Sequence, residues 1–321
     1  MRAMIQTKYG SPEVIVPQTL AKPSPRDKEI LIRIQAASVG PSDCAFRKGD
    51  PFMIKLIYGW SKPKYPIGGC ELAGVVEAVG KGVTRFKAED RVLGMSPKTF
   101  GAHAEFKCLP EDSPLAVIPG NLASEDAVAV CDGGATALTF LRDKAKLRQG
   151  QRVLINGASG AVGIYAVQLA KFYGAEVTAV CSAGNEGLVR KAGADFVIDY
   201  NRDDFTKAGK AYDIIFDAVG KRSFSACKRA LTAKGVYLTT VPTLSILAQM
   251  MWTSLFPGKR AMFATAGLMQ NNANLAFLLG LASKGTLNAV IDRRYPLEHL
   301  PEAHEYVETG RKKGNVIITC T

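Results

Sequence analysis

No stretch of this sequence is long and apolar enough to span a membrane. The longest candidate, Leu244 to Phe256, is broken by Ser245, Gln249, Thr253 and Ser254 and falls short of the roughly 20 residues a spanning helix needs. Met1 to Gly10 are polar and mixed, with no secretory h-region. Histidine is scarce: His103, His299 and His304 sit in no metal-ligand spacing. The seven cysteines (Cys44, Cys70, Cys108, Cys131, Cys181, Cys227, Cys320) are scattered, odd in number and free of any C-x-x-C. They read as reduced thiols rather than a disulfide framework, and the expected location is cytoplasmic. Internal repeats and low-complexity tracts are absent. So is any Ser/His/Asp or paired-carboxylate arrangement, which leaves hydrolytic chemistry without a candidate.

Acidic residues are outnumbered. There are 29 against 41 basic ones, a net charge of +12. Such a charge favours nucleic acid or an anionic membrane in principle. Here the bases are spread along the chain, and their densest run is Arg311-Lys312-Lys313. No nucleic-acid-binding fold signature accompanies them. The charge therefore reads as a solvated basic surface, and neither nucleic acid nor membrane is an expected partner.

What is present is a 321-residue chain that is 47% hydrophobic, enough for two domains. Its texture changes near residue 121. Before that point, short strands over Glu29–Ala37, Leu72–Val79, Asp90–Leu93 and Ala102–Leu109 are separated by Gly, Pro and Asp, as in a β-barrel. After it, apolar strands alternate with helical patterns. The strands are Arg152–Ile155, Glu176–Cys181, Phe196–Ile198, Asp213–Phe216 and Gly235–Thr240; the helices are 161–173, 185–192 and 223–231. That alternation predicts a parallel sheet with right-handed crossovers. The tail changes again, with Ala289–Arg293, a helix-like 298–309 and Asn315–Thr319.

The most informative segment is 151–163, Q-R-V-L-I-N-G-A-S-G-A-V-G. A buried strand runs into a glycine-rich turn, and a helix follows with Val162, Tyr165, Ala166 and Leu169 at helical spacing. Alanine (Ala158) stands where the usual fingerprint has its first glycine. Gly160 leaves room for a pyrophosphate against the backbone, and Gly163 permits tight helix–strand packing. The helix N-terminus turns N–H groups and a positive dipole end toward phosphate. A second strand follows at the distance a dinucleotide site requires. That strand ends in Cys181-Ser182-Ala183-Gly184-Asn185 with no carboxylate at its tip. Ser182 and Asn185 can donate to a 2′-phosphate, which favours NADP(H). Glu186, one residue on, keeps NAD(H) open.

Beyond this segment, the chain resembles the zinc-independent medium-chain dehydrogenase/reductases, near the quinone oxidoreductases. Segments 66–80 (P-I-G-G-C-E-L-A-G-V-V-E-A-V-G), 86–92, 157–163 with 168–171, 192–200, 213–220 and 314–318 carry the likeness in the family's order. The resemblance implies an α/β protein. Residues 1–121, completed by 286–321, would form a GroES-like β-barrel catalytic domain, and 122–285 a Rossmann doubly wound parallel sheet. It places the nicotinamide in a cleft between the two. By position, Ser159, Gly160, Ala161 and Val162 would touch the pyrophosphate. Ser182, Asn185 and Tyr200 would surround the 2′-phosphate. Related reductases often carry lysine at position 185. Thr136, Val219 and Val241 would line the nicotinamide, with Lys313 and Asn315 near the cofactor. A homodimer is the assembly implied.

The zinc positions of the wider superfamily are altered here. The first ligand becomes Gly40, the histidine becomes Cys70 beside Glu71, and the third becomes Asp132. Residues 94–110 hold only Cys108 where a four-cysteine lobe would stand. No metal is expected, because a catalytic zinc needs three protein ligands. Without a Lewis acid a simple alcohol is hard to oxidise. A quinone or an enone takes hydride more readily, because the charge spreads onto oxygen. The tyrosine found after the aspartate in some quinone reductases corresponds to Ala45. Asp43 and Cys44 are the remaining catalytic candidates. Phe52 to Trp60 and Met250 to Phe256 suggest walls for a bulky, apolar electrophile. Three readings stand: an NADPH-dependent quinone or enone reductase, a metal-assisted alcohol dehydrogenase, and a non-catalytic NADPH-binding protein acting through partners or RNA.

Overall fold

The computed structural model describes residues 1–207, 209 and 211–320. It divides into two compact units: Met1–Asp132 with Gln270–Thr321, and Gly133–Met269. Thr321, the end of the expected catalytic segment, lies outside the described residues.

In the first unit, Glu29–Val39 is the spine. Ile30, Ile32, Ile34, Ala36, Ala37 and Val39 are all essentially without solvent exposure. It pairs antiparallel with Glu71–Val79 along one side. On its other side it pairs with Phe106–Pro110 near its start and Asn315–Thr319 near its end. One long strand thus serves three partners, and the seven-stranded sheet runs on through Ile291–Pro296 at one end and through Arg91–Met95 to Leu115–Val117 at the other. This is the GroES-like half of an α/β protein. The tail joins it because Val316 and Ile318 pack in the same core as Ile30 and Leu72.

The texture break near 121 and the structural break at 132 differ for a packing reason. Helix Ser124–Leu138 begins with Ala127, Val128 and Ala129 buried against Leu93 and Ile118 of the first sheet. Helix Asn272–Ser283 likewise brings Leu275 and Leu279 to that core, ahead of the expected return at 286. The strand expected over 102–109 is shorter, at Phe106–Pro110. Ala104 instead bridges Ala3 of an N-terminal hairpin, Arg2–Gln6 with Ile15–Thr19.

The second unit is a six-stranded, wholly parallel sheet. Its order is Phe196–Asp199, Glu176–Cys181, Arg152–Asn156, Tyr212–Asp217, Leu231–Thr239, Arg260–Phe263. Counted within the unit this is 3-2-1-4-5-6, the Rossmann order. Its switch point falls between Arg152–Asn156 and Tyr212–Asp217, where ligands bind beyond the strands' carboxyl ends. The centre is apolar on both faces, with Val153, Leu154, Ile155, Ile215 and Phe216 unexposed, as strands covered on both sides must be. Among the described residues, no helix is long and apolar enough to cross a membrane.

Candidate cofactor cradle and acid cluster

At the switch point the backbone makes a tight passage. Gly157 takes φ +79°, and a Cβ there would lie 2.1 Å from Val219 Cγ2. A Cβ on Gly163 would lie 2.1 Å from the Gly157 carbonyl oxygen. Gly160 differs: the nearest atom to its would-be Cβ is 3.5 Å away. Two glycines therefore close the turn on itself, and the third leaves open space above it. Gly160 also caps helix Ala161–Phe172, with extended backbone and no side chain on the helix end. The first helical bond runs from the Ile164 N–H to the Gly160 carbonyl. The earlier N–H groups lie at the N-terminus and suit a phosphate.

Ser159 and Asn185 are brought together: Asn185 Nδ2 donates to Ser159 Oγ at 3.0 Å. Ser182 precedes the short turn Ala183–Asn185, and its carbonyl accepts from the Asn185 N–H at 2.9 Å. Tyr200 stands exposed beside them, its N–H bonded to the Cys181 carbonyl at 3.2 Å. Glu186 is turned onto Arg190, 2.8 Å from the guanidinium Nε. Val219 and Val241 are both exposed: Val219 lies over Gly157, and Val241 over Gly220 (φ +73°), whose would-be Cβ is 2.3 Å from Val241 Cγ2. Thr136 is half-buried on helix Ser124–Leu138.

Sequence reasoning missed what holds the Val219 loop. Asp217, fully buried, accepts from the N–H groups of Val219 (3.2 Å), Gly220 (3.0 Å) and Arg222 (2.9 Å). It also accepts from Asn156 Nδ2 at 2.9 Å and the Tyr237 hydroxyl at 3.2 Å. One carboxylate thereby ties the ends of the two switch-point strands to the loop after them. The signal was in F-D-A-V-G: a charged residue ending an apolar strand needs buried donors.

The first unit holds three interacting acids, Asp43 buried and Glu71 and Asp132 half-buried. Asp43 lies on helix Pro41–Lys48, and its Oδ2 accepts the Gly40 N–H at 2.8 Å. Burial pushes its carboxyl up to about 7, Asp132 adds to the rise, and the Gly40 bond opposes it. Glu71 is likewise raised well above the carboxylate range by burial, Asp132 and Asp43, although Ser38 Oγ donates to it at 2.9 Å. Asp132 is raised by burial, against the pull of Lys312 and of Asn315, whose Nδ2 donates to it at 2.9 Å. The lysine facing the cluster is Lys312, one residue before the candidate Lys313. Lys313 is exposed and engages Asp292 only through its N–H. Cys44 is buried against His304, with Sγ 3.4 Å from His304 Nδ1. Its thiol is pushed up to about 12 by burial and by Asp43, so it is a poor nucleophile.

A cavity of about 50 Å³ beside Asp43 is lined by Phe46, Arg47, Tyr58, Phe100, His103 and His304. Of the expected apolar walls, Phe52, Met53, Leu56, Ile57 and Trp60 are exposed in the first unit, and Met251, Trp252 and Phe256 in the second.

The donors do not suit a zinc ion. Gly40 has no ligating atom, and its would-be Cβ is 3.7 Å from Asp43 Oδ2 and 3.9 Å from Asp132 Oδ1. Among the described residues, no three His, Cys, Asp or Glu side chains converge to hold a metal.

Two family models match: an alcohol dehydrogenase GroES-like domain over residues 26–120 and a zinc-binding dehydrogenase over 192–318. The chain is 30% identical to a chloroplastic quinone-oxidoreductase homolog of Spinacia oleracea, over 99% of this chain and 98% of that one. It is also 30% identical to a 2-methylene-furan-3-one reductase of Solanum lycopersicum, over 99% and 79%. The structure superposes on a quinone oxidoreductase of Escherichia coli complexed with NADPH, with a TM-score of 0.84, 25% identity and all of both chains covered. The chain belongs to the medium-chain dehydrogenase/reductase family, in its quinone oxidoreductase-like branch. It is an NAD(P)H-dependent oxidoreductase.

Proposed function

We propose that the chain reduces a quinone or an α,β-unsaturated carbonyl with NADPH and without a metal. The carrying observation is the cradle at the switch point. Gly160 leaves space at a bare helix N-terminus, while Ser159 and Asn185 are hydrogen-bonded at its side. When bound, the cofactor supplies a hydride. Ser159 to Val162 hold the pyrophosphate. Ser182, Asn185 and Tyr200 take the 2′-phosphate, which Glu186 does not oppose because it is paired with Arg190. Thr136, Val219 and Val241 fix the nicotinamide, with Asp217 as the positioning residue behind Val219. Lys313 and Asn315 remain cofactor candidates through the resemblance alone.

The preference for conjugated acceptors rests on the donor set, which offers no Lewis acid to an alcohol. The tomato relative, an enone reductase by name, supports it. The E. coli complex supports NADPH. Asp43 is the candidate proton source, since near pH 7 it still carries a proton in part of the population. The partners are small apolar electrophiles, the assembly a homodimer and the location cytoplasmic.

The test is nicotinamide absorbance during steady-state turnover, with phenanthrenequinone and an alkenal, NADPH and NADH in parallel, and chelator present or absent. Turnover with NADPH well above NADH and indifferent to chelator is expected, falling as pH rises through about 7. NADPH binding without oxidation on either acceptor, or loss of activity with chelator, rejects the assignment.

A further inference from the structure

The cavity beside Asp43 stands apart from the cofactor cradle. Its lining belongs wholly to the first unit, Met1–Asp132 with Gln270–Thr321. At about 50 Å³ it has room for a few heavy atoms. Pockets for larger organic ligands run to roughly 300–1,000 Å³.

The decisive wall is Arg47. Helix Pro41–Lys48 carries it one turn after Asp43, on the same face. Its side chain is 1% exposed. Of the three guanidinium nitrogens, Nη2 donates to Glu308. Nε and Nη1 are buried and meet no hydrogen-bond partner among the described residues. Buried polar groups are nearly always paired, and a buried charge short of partners is costly.

The local charge is uneven too. Lys48 Nζ lies 3.0 Å from the Glu308 carboxylate that Arg47 already engages, so two cations share one anion. Lys64, exposed at the rim of the cavity, adds a third positive charge. The acid in the lining is Asp43, whose Oδ2 is taken by the Gly40 N–H at 2.8 Å. Burial pushes that carboxyl up to about 7, so it brings only part of a negative charge to the wall. The histidines of the lining are engaged elsewhere, His103 Nε2 with the Ser38 carbonyl at 3.0 Å and His304 Nδ1 with Cys44. Apolar rings close another side: Phe46, Tyr58 and Phe100 form one cluster, with centroids 4.8 to 5.2 Å apart.

We propose that this cavity binds a compact carboxylate, of formate or acetate size, on the free Nε and Nη1 donors of Arg47, with Lys64 drawing it in at the rim. A water molecule satisfies a donor but brings no charge to two cations that share one acid. A guanidinium N–H is well matched to a carboxylate oxygen. The ring cluster suits a hydrogen or a methyl group on the far side of the ligand. The site involves neither the nicotinamide cofactor nor the reductase reading.

The test is thermal unfolding of the intact protein in sodium formate, sodium bromide and sodium gluconate at matched ionic strength, which holds screening constant. Line broadening of ¹³C-formate is read in parallel. Formate should raise the melting temperature along a saturating curve, as a ligand of the folded state does. Gluconate, too large for the cavity, should leave it unchanged, and bromide should act more weakly than formate. Arg47→Lys keeps the charge and removes Nε and Nη1, and its affinity for formate should fall at least about tenfold. If that variant does not fold, Glu308→Gln decides. It keeps the space filled and frees Arg47 from the competing carboxylate, so formate should bind about tenfold tighter. The proposal is overturned if formate and gluconate act equally (screening of a basic surface), or if bromide matches formate (a halide site). It is equally overturned if Arg47→Lys binds formate as the parent does, or if Glu308→Gln binds it no tighter.

Discussion

Asp43 shows how one buried side chain carries a consequence for both stability and chemistry. Its carboxyl sits near 3.8 when free and is pushed up to about 7 in the fold, chiefly by burial. The folded state thus holds the proton more tightly than the unfolded one. Stability from this group is full below about 3.8 and drains as the pH climbs through about 7. Asp43→Asn keeps an acceptor for the Gly40 N–H and removes the ionisation. Its stability relative to the parent should rise by on the order of a few kcal/mol between pH 5 and pH 8. Urea melts at the two pH values check this, and a parent–variant difference that ignores pH refutes it. At this scale much was legible. The spacing of Ser159, Gly160 and Gly163 is local, so sequence reports it directly. Lys312 was not legible. Three consecutive bases give no hint of which one turns inward, and that is set by how the strand Asn315–Thr319 enters the sheet.

At the scale of elements, the turn 157–163 and the loop 217–222 meet through Asp217. Replacing it with Asn puts an amide nitrogen where an acceptor stood. At least one of the five donors then faces a donor, at roughly 1–3 kcal/mol for each group left unpaired. We expect Asp217→Asn to raise the KM for NADPH more than it lowers kcat, since the residue positions Val219 and touches no reacting atom. Equal loss in both, or none, would assign the clamp a purely structural role. Gly163→Ala provides the contrast: its Cβ would lie 2.1 Å from the Gly157 carbonyl oxygen, so it should lower the melting point as well. Five of the six strands of the second unit were legible because buried parallel strands read as apolar runs; Arg260–Phe263, four residues long and opened by an exposed Arg, was not. Helix Ser124–Leu138 was not: A-V-A-V-C-D-G-G-A-T-A-L has no polar face to mark its period, being covered nearly all round. The hairpin partner Ile15–Thr19 was hidden too, with Pro17 inside it and four of its five residues exposed.

Across the whole molecule, charge and cofactor are linked. NADPH brings one more phosphate than NADH to a chain of net charge +12, and a ligand that binds only the folded state stabilises it by about 2.7 kcal/mol at a hundredfold excess over Kd. For units of this size that amounts to roughly 2–4 °C for each kcal/mol. NADPH should therefore raise the melting temperature by several degrees, and NADH at equal concentration by less. Raising the salt should shrink the gap between the two, because the extra phosphate acts through charges that salt screens. Asn185→Lys places a cation beside Ser159 and should widen the gap again at low salt. Zinc added in place of cofactor should leave the melting temperature where it was, since Gly40 contributes no ligand atom and, among the described residues, no three His, Cys, Asp or Glu side chains converge to hold a metal. A thermal shift series over the two cofactors, two salt concentrations and zinc reads all of this on the intact protein. Equal shifts for NADH and NADPH would remove the role given to Ser182 and Asn185 while leaving the pyrophosphate cradle intact. A rise with zinc would favour the metal-assisted alcohol dehydrogenase over the metal-free reductase, because a bound ion would then be stabilising the fold.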